Sequence, residues 1–230
     1  MLDVYAVKLD KNISKKKFDI LLASVSNEKR ERINRFYRLE DAQRTLLGDI
    51  LARYIICKKL NIENYEIDFR VNKYGKPYIV NFNHIHFNIS HSGDWVVGCC
   101  GTSSVGIDIE RVEAVDISIA EQFFSLKEYN ALKSKKPLKK ESFFYELWTL
   151  KESYIKAVGH GLSIPLNSFT IKFDKNGITA LNPNNSDTYF FKQYDIDKKY
   201  KMALCATDHK FPDSVKVINI HQLYEEFILL

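Results

Sequence analysis

Apolar and polar positions alternate, cluster and recur along this chain in patterns that predict most of its elements. Leu2 to Leu9 alternates closely enough for a first strand. Ser26 stands as an N-cap, with Glu28 in the first turn of a basic helix over Glu28 to Arg38 whose apolar side is Ile33, Phe36 and Tyr37. From Leu39 to Leu60 a wide stripe (Leu46, Leu47, Ile50, Leu51, Tyr54, Ile55, Leu60) predicts a long helix. Gly48 inside it points to close packing rather than a break. Ile67 to Val71 reads as a strand and Asn72-Lys-Tyr-Gly-Lys-Pro77 as a turn, with Pro77 arguing against a central strand there. His84 to Gly101 is apolar and β-rich, and Ser90-His-Ser-Gly93 reads as a hairpin-like turn within it. Val105 to Glu110 alternates as a strand, with Val105, Ile107 and Ile109 on one face and Asp108 and Glu110 on the other.

The second half repeats the order. Ile117 to Phe124 reads as helical, and Ser125-Leu-Lys-Glu128 is a capping box opening the next helix. Lys133 to Lys140, with five lysines and Pro137, predicts a mobile loop. A second long helix is expected from about Glu141 to Val158, ending before Gly159 and Gly161. Its stripe is Phe144, Leu147, Trp148, Tyr154, Ile155 and Val158, with Glu152 at the edge and Lys156 one turn on. Lys151 falls inside the stripe, so it must snorkel, pair, or serve a site. Strands are expected at Phe169 to Phe173, Thr188 to Tyr194, Lys201 to Ala206 and Ser214 to Ile220, with a turn at Asn182-Pro-Asn-Asn185. Arg35-Phe-Tyr-x-x-Glu40 and Gln122-Phe-Phe-x-x-x-Glu128 each lead to a long helix and then a strand. This weak repeat reads either as two similar lobes joined near Gly101 to Val105 with the site between them or as the order any α+β chain shows. The expected fold class is α/β (α+β), with two lobes, residues 1–103 and 104–230, each a long helix packed on a small sheet, and an active site at the lobe interface.

Composition narrows the classes. At 230 residues and 45% hydrophobic, the chain can bury a sizeable core. A net charge of +5, from 34 basic and 29 acidic residues, suits anionic partners without demanding nucleic acid. Cys57, Cys99, Cys100 and Cys205 show no Cys-x-x-Cys metal spacing, and Cys99 and Cys100, neighbours in an apolar run, read as buried reduced thiols. The N-terminus lacks a basic region followed by an apolar run, and no stretch approaches a membrane span. A soluble cytoplasmic protein with no membrane partner is the expectation.

The chemistry concentrates in two motifs. Asp108 and Glu110 share one face of an otherwise apolar strand, where two like charges repel unless a cation or bases lie between them. If the helix brings Glu152 and Lys156 to that face, three carboxylates and a lysine converge, which is the composition of a divalent-cation site handling a phosphate. Mg²⁺ fits such a set, being hard and content with a few carboxylates plus phosphate and water oxygens. Lys29, Arg30, Arg32, Arg35 and Arg38, with Lys73 and Lys76 beside Gly75, would suit a second phosphate on the same ligand. Each feature alone has a plain structural explanation: a solvated helix face, an ordinary turn, or an i,i+4 pair between Glu152 and Lys156.

Together the motifs carry a resemblance. Gly106-Ile-Asp-Ile-Glu110 and Trp148-Thr-Leu-Lys-Glu-Ser-Tyr-Ile-Lys156 resemble the paired signature of the 4′-phosphopantetheinyl transferase superfamily. Arg35-Phe-Tyr-x-x-Glu-Asp-Ala-x-Arg-Thr-Leu-Leu-Gly-Asp49, Tyr74-Gly-Lys-Pro77, Phe87-Asn-Ile-Ser-His-Ser-Gly93 and Gly159-x-Gly-Leu-Ser-Ile-Pro-Leu-x-Ser-Phe169 resemble its surfactin (Sfp) type. The resemblance implies a monomer of two pseudo-symmetric lobes with coenzyme A in the cleft and Mg²⁺ held by Asp108, Glu110 and Glu152. It implies coenzyme A contacts at Lys29, Arg32, Thr45, Tyr74, Gly75, Lys76, Ser90, His91 and Lys156. Of these, Lys29, Arg32, Thr45 and His91 would lie near the 3′-phosphate and Tyr74 to Lys76 near the adenine. Arg32 stands where relatives often carry lysine, and an arginine also binds phosphate.

The implied reaction moves 4′-phosphopantetheine from coenzyme A to a serine of an acyl or peptidyl carrier protein, releasing adenosine 3′,5′-bisphosphate. It would serve fatty acid, polyketide or nonribosomal peptide synthesis, antibiotic biosynthesis included. Glu152 and Lys156 are the catalytic candidates. Residues between about Phe123 and Phe144, with the lysine loop, are the expected docking face for an acidic carrier. Two other classes use the same residues: a Mg²⁺-dependent nuclease, whose binding would fall steeply with salt, and a non-catalytic module indifferent to Mg²⁺.

Overall fold

The alternating N-terminus forms strand β1 (Asp3–Lys8), and three helices follow: α1 (Lys15–Ala23), α2 (Asn27–Asn34) and α3 (Leu39–Leu60). The structure is a computed structural model and describes residues 2–9, 12–175, 177–181 and 187–230. Helix α2 starts as the capping pattern predicts, with the Ser26 side chain accepting from Lys29 N, but it stops at Asn34, four residues short of Arg38. A two-stranded ribbon comes next, β2 (Phe69–Val71) and β3 (Pro77–Ile79), and Pro77 sits at its first position, where no ladder donor is required. Then come β4 (His86–Ser92), β5 (Trp95–Gly101) and β6 (Val105–Arg111).

The β4–β5 hairpin corrects one expectation. Ser90, His91 and Ser92 belong to the strand, and only Gly93 and Asp94 make the turn, with Gly93 at φ +53°. Serines read as turn residues because they compete for local backbone bonds. Here they bond across to β6 instead.

A short 3₁₀ turn at Ile117–Ile119 leads into α4 (Ala120–Phe123), α5 (Leu126–Lys133) and the second long helix, α6 (Pro137–Val158). The Ser125 capping box is present, with Ser125 N donating to Glu128 Oε2 at 2.8 Å. The expected lysine loop is a second correction. Helix α6 begins at Pro137 rather than Glu141, because proline's missing N–H and fixed φ suit the first helical position. Only residues 134–136 link α5 to α6. Both long helices have 22 residues and end on a left-handed residue, Asn61 (φ 53°) and Gly159 (φ 80°).

The chain continues through β7 (Thr170–Asp174), β8 (Gly177–Leu181), β9 (Phe190–Gln193), β10 (Tyr200–Ala206), β11 (Lys216–Asn219) and α7 (Ile220–Phe227). The turn expected at 182–185 lies outside the described residues. Strands order as β11-β1-β5-β4 in one sheet and β6-β10-β9-β8-β7 in the other, so the class is mixed α/β with one long helix on each sheet. Residues 216–227, which the division at 103/104 gives to the second lobe, pack on the first. Strand β11 pairs in parallel with β1, and Leu223 and Phe227 enter the core under α3. A third apolar core lies between the sheets, where Val4, Ala6 and Val97 meet Ile107, Ile109 and Leu204. All four cysteines are buried and free, as expected for Cys99 and Cys100 from their apolar run. Among the described residues no helix is long and apolar enough to cross a membrane.

Candidate active site

Strand β6 gives its two faces to different partners. Val105, Ile107 and Ile109 enter the core between the sheets, while Gly106, Asp108 and Glu110 turn toward α6. A Cβ on Gly106 would lie 2.1 Å from Ser153 O and 2.3 Å from Ala157 N, so the helix backbone rests directly on the strand. That contact lays the last turns of α6 over the acids. Lys156 Nζ donates to Asp108 Oδ1 at 2.6 Å and to Ser90 Oγ at 3.1 Å, and Ser90 Oγ donates to Asp108 Oδ1 at 2.8 Å. Ser92 Oγ donates to Glu110 Oε2 at 2.8 Å.

The electrostatics follow from putting these groups together out of water. Burial and the Asp108 charge push the Glu110 carboxyl up to about 7, with Glu152 adding to the effect. Burial and Asp108 likewise hold Glu152 above the usual carboxylate range. Burial pulls the Lys156 amine down, but Asp108, Glu152 and Glu110 outweigh it and leave the amine above its ordinary value. Asp108 Oδ2 is buried and finds no hydrogen-bond partner among the described residues.

Ser90, Asp108, Glu110, Glu152 and Lys156 line a cavity of about 650 Å³. Strands β4 and β6 meet along it, α3 contributes Thr45, Gly48, Asp49 and Ala52, and α6 contributes Trp148, Glu152 and Lys156. Four further bases share the lining, Lys29 and Arg32 from α2, Arg53 from α3 and Arg70 from β2, together with Glu28. Lys29 Nζ lies 3.3 Å from Asp49 Oδ2, and Arg53 Nε donates to Asp49 Oδ1 at 2.7 Å, so one buried carboxylate aligns two bases.

The cavity thus brings together nine of the residues singled out in the sequence: Lys29, Arg32, Thr45, Ser90, His91, Asp108, Glu110, Glu152 and Lys156. Tyr74, Gly75 and Lys76 are placed elsewhere. The 72–77 turn docks on the C-terminal end of α6, with Asn72 Nδ2 donating to Gly159 O at 2.9 Å and Lys76 Nζ to Val105 O and Ala157 O at 3.1 and 3.0 Å. The Tyr74 ring lies 4.6 Å from that of His160. Lys151 is turned away from the cavity into the core under α6, where it pairs with Glu128 at 2.9 Å. Sequence reasoning missed Asp49 and Arg53, although Thr45, Asp49 and Arg53 stand one turn apart on the same helix face. Phe69 and Arg70 lie in the strand expected over Ile67 to Val71, but nothing local marks them as cavity residues.

Residues 104–205 match the family model of the 4′-phosphopantetheinyl transferase superfamily, and residues 12–103 match that of the 4′-phosphopantetheinyl transferase N-terminal region. The 4′-phosphopantetheinyl transferase ffp of Bacillus subtilis is 42% identical over 96% of this chain and 99% of its own. The 4′-phosphopantetheinyl transferase Sfp of Bacillus subtilis strain 168 is 38% identical over the same shares, and the gsp transferase of Aneurinibacillus migulanus is 43% identical over 90% of this chain and 86% of its own. Among solved structures, a holo-(acyl-carrier-protein) synthase of Bacillus anthracis aligns with a TM-score of 0.40 at 20% identity, covering 45% of this chain and 94% of its own, too loose a likeness to argue from. On the near-full-length relatives and the two family models, the chain belongs to the 4′-phosphopantetheinyl transferase superfamily and is an enzyme of that class.

Proposed function

We propose that this enzyme transfers 4′-phosphopantetheine from coenzyme A to a serine of an apo acyl or peptidyl carrier protein, with Mg²⁺, and releases adenosine 3′,5′-bisphosphate. The observation that carries the reading is that one cavity is lined by two separately bonded charged groups. Lys156 pairs with Asp108 beside Glu110 and Glu152, while Lys29 and Arg53 gather on Asp49, with Arg32 and Arg70 on the same lining, which suits a ligand with a pyrophosphate and a separate phosphate. The bases Lys29, Arg32, Arg53 and Arg70 suit the 3′-phosphate of coenzyme A.

The acids suit a hard divalent cation in kind. All are oxygen donors, Asp108 Oδ2 is buried without a partner among the described residues, and burial together with the Asp108 charge raises the proton affinity of Glu110 and Glu152. Among the described residues no group of three or more acid, histidine or cysteine side chains is arranged to hold a metal ion while Lys156 pairs with Asp108. Asp108, Glu110 and Glu152 are the residues that would hold Mg²⁺, which when bound would neutralise and orient the pyrophosphate.

The chain's own residues do the rest by alignment and charge. The carrier serine oxygen forms a bond to the phosphorus next to pantetheine, and the bond from that phosphorus to the bridging oxygen breaks. The electron pair leaves on the bisphosphate. Lys156, held charged by its acidic neighbours, offsets negative charge on the same group. Glu152, on the same cavity lining, is the residue placed to take the serine proton. Incubation with coenzyme A, Mg²⁺ and an apo carrier, read by intact mass, should add one phosphopantetheine to the carrier's serine. No mass gain on any acyl or peptidyl carrier tried, from an enzyme that binds coenzyme A, would overturn the reading.

Docking of an acidic carrier falls to the corner between α5 and α6. Leu126 (74% exposed) and Leu138 (99% exposed) stand out there among Lys127, Lys135, Lys136, Lys139 and Lys140, and the Lys135 amine lies 4.1 Å from the centre of the Phe143 ring. Reversing the charges of Lys135, Lys136, Lys139 and Lys140 should raise the carrier's KM about tenfold or more and leave coenzyme A affinity alone. Steady-state kinetics with each substrate varied in turn separates the two, and an unchanged carrier KM would put docking on another face.

A further inference from the structure

Strands β4 and β6 run side by side at the seam of the two sheets, each at the edge of its own sheet, with no backbone ladder between them among the described residues. Side chains make the connection instead. Asn88 Oδ1 accepts from Ile107 N at 2.9 Å, Ser90 Oγ from Ile109 N at 3.4 Å and Ser92 Oγ from Arg111 N at 3.1 Å. Every second residue of β4 therefore caps a backbone N–H of β6 nineteen positions on, which sets the two strands parallel and in fixed register. The two serines do something the asparagine does not. A hydroxyl that accepts from an amide still has one proton to give, and each serine gives it to the acid immediately preceding that amide. Ser90 donates to Asp108, and Ser92 to Glu110 Oε2.

We propose that Ser92 is a positioning residue for Glu110: anchored through its oxygen to the β6 backbone, it holds one carboxylate oxygen so that the other is the donor a divalent cation meets in the cavity. This rests on the reading that Asp108, Glu110 and Glu152 hold such a cation. The Glu110 side chain has three rotatable bonds and approaches the cavity from a strand edge. Without the hydroxyl its carboxylate would have to be ordered at the moment of binding. Outer partners of metal ligands are worth about 10–100-fold in metal affinity when removed.

The test is Mn²⁺ binding, read as loss of free-ion electron paramagnetic resonance signal while Mn²⁺ is added to the protein holding coenzyme A. Ser92→Ala should raise the Mn²⁺ dissociation constant about tenfold or more, whereas Ser92→Thr, which keeps the hydroxyl, should stay within about threefold of the parent. Asn88→Ala removes the same kind of seam bond but touches no acid. It should lower Tm and leave Mn²⁺ affinity at the parent's value. Equal Mn²⁺ affinity in Ser92→Ala and the parent would overturn the role of Ser92 while leaving the cation site standing. Equal weakening in Asn88→Ala and Ser92→Ala would overturn it too, by assigning the effect to the seam as a whole. A parent protein that binds no Mn²⁺ would sink the cation reading itself and this inference with it.

Discussion

A Gly106→Ala chain should be about 3 kcal/mol less stable than the parent and should lose about 10²-fold in kcat/KM for carrier modification. Both losses come from one added carbon. At the built Cβ position the nearest atoms are Ser153 O at 2.1 Å, Ala157 N at 2.3 Å and the Lys156 carbonyl carbon at 2.8 Å. All three belong to the backbone of α6, so no side chain can swing aside. Ordinary contact begins near 3.4 Å, and the helix would have to retreat from the strand by roughly 1 Å, against a core packed to crystal-like density. That retreat would draw Lys156 away from Asp108, where it now sits at 2.6 Å, and Glu152 with it.

Gly48 supplies the contrast on the other long helix. Its added Cβ would meet only the Ile89 Cγ2 methyl, at 3.2 Å, which can yield by a few tenths of an ångström. Alanine at that helical position also gains up to about 1 kcal/mol in intrinsic propensity, so Gly48→Ala should be near neutral for stability. Urea unfolding of the two variants beside the parent, with carrier assays at saturating coenzyme A, reads both effects. A Gly106→Ala protein with parental stability and rate would mean that α6 does not rest on β6 as closely as these distances require.

What the sequence made legible was whatever is written in local periodicity. The alternation of Val105 to Glu110 put the acids on one face, and the stripe of α6 put Glu152 at its margin, because a period of 2 or 3.6 needs only neighbouring residues. Contacts between distant segments left no such trace. Ser90 and Ser92 looked like turn residues because the amides they cap lie nineteen positions away. The 72–77 turn was legible as a turn, with Gly75 at φ +87°, but its docking on Gly159 of α6 was not. The return of β11 to pair with β1 was equally hidden, since parallel pairing across two hundred residues leaves no mark on either strand alone. The start of α6 is, like the Thr45, Asp49 and Arg53 face of α3, a miss that local chemistry could have prevented. Pro137 ahead of a helical stripe is a start signal, and the surrounding lysines drew attention to charge instead.

Lys151 is the case where the sequence posed a question and the fold answers it. The residue is fully buried in the face of α6 that looks away from the cavity. Its amine donates to Leu166 O and Phe169 O at 2.8 Å each, lies 2.9 Å from Glu128 Oε2, and sits 4.1 Å from the centre of the Phe169 ring. Glu128 in turn accepts from Ser125 N and, through Oε1, from Ile171 N at 2.7 Å. One ion pair thus pins α5, α6, the 166–169 segment and β7 together. Burial pulls the amine down against the pull of Glu128 in the other direction, so the charge is held at a cost and the pair serves register more than net stability. Lys151→Met should therefore destabilise the protein by about 3–5 kcal/mol, because it strands Glu128 as a buried, uncompensated charge. Adding Glu128→Gln removes that charge and should return about 1–3 kcal/mol of the loss, a coupling that urea unfolding of the four chains in the cycle measures directly. At temperatures where the single variant stays folded, KM for coenzyme A should match the parent's, since no atom of Lys151 lines the cavity. Additive losses in the cycle would show that the two residues act independently. A KM for coenzyme A that rises in step with the lost stability would place Lys151 in the site after all.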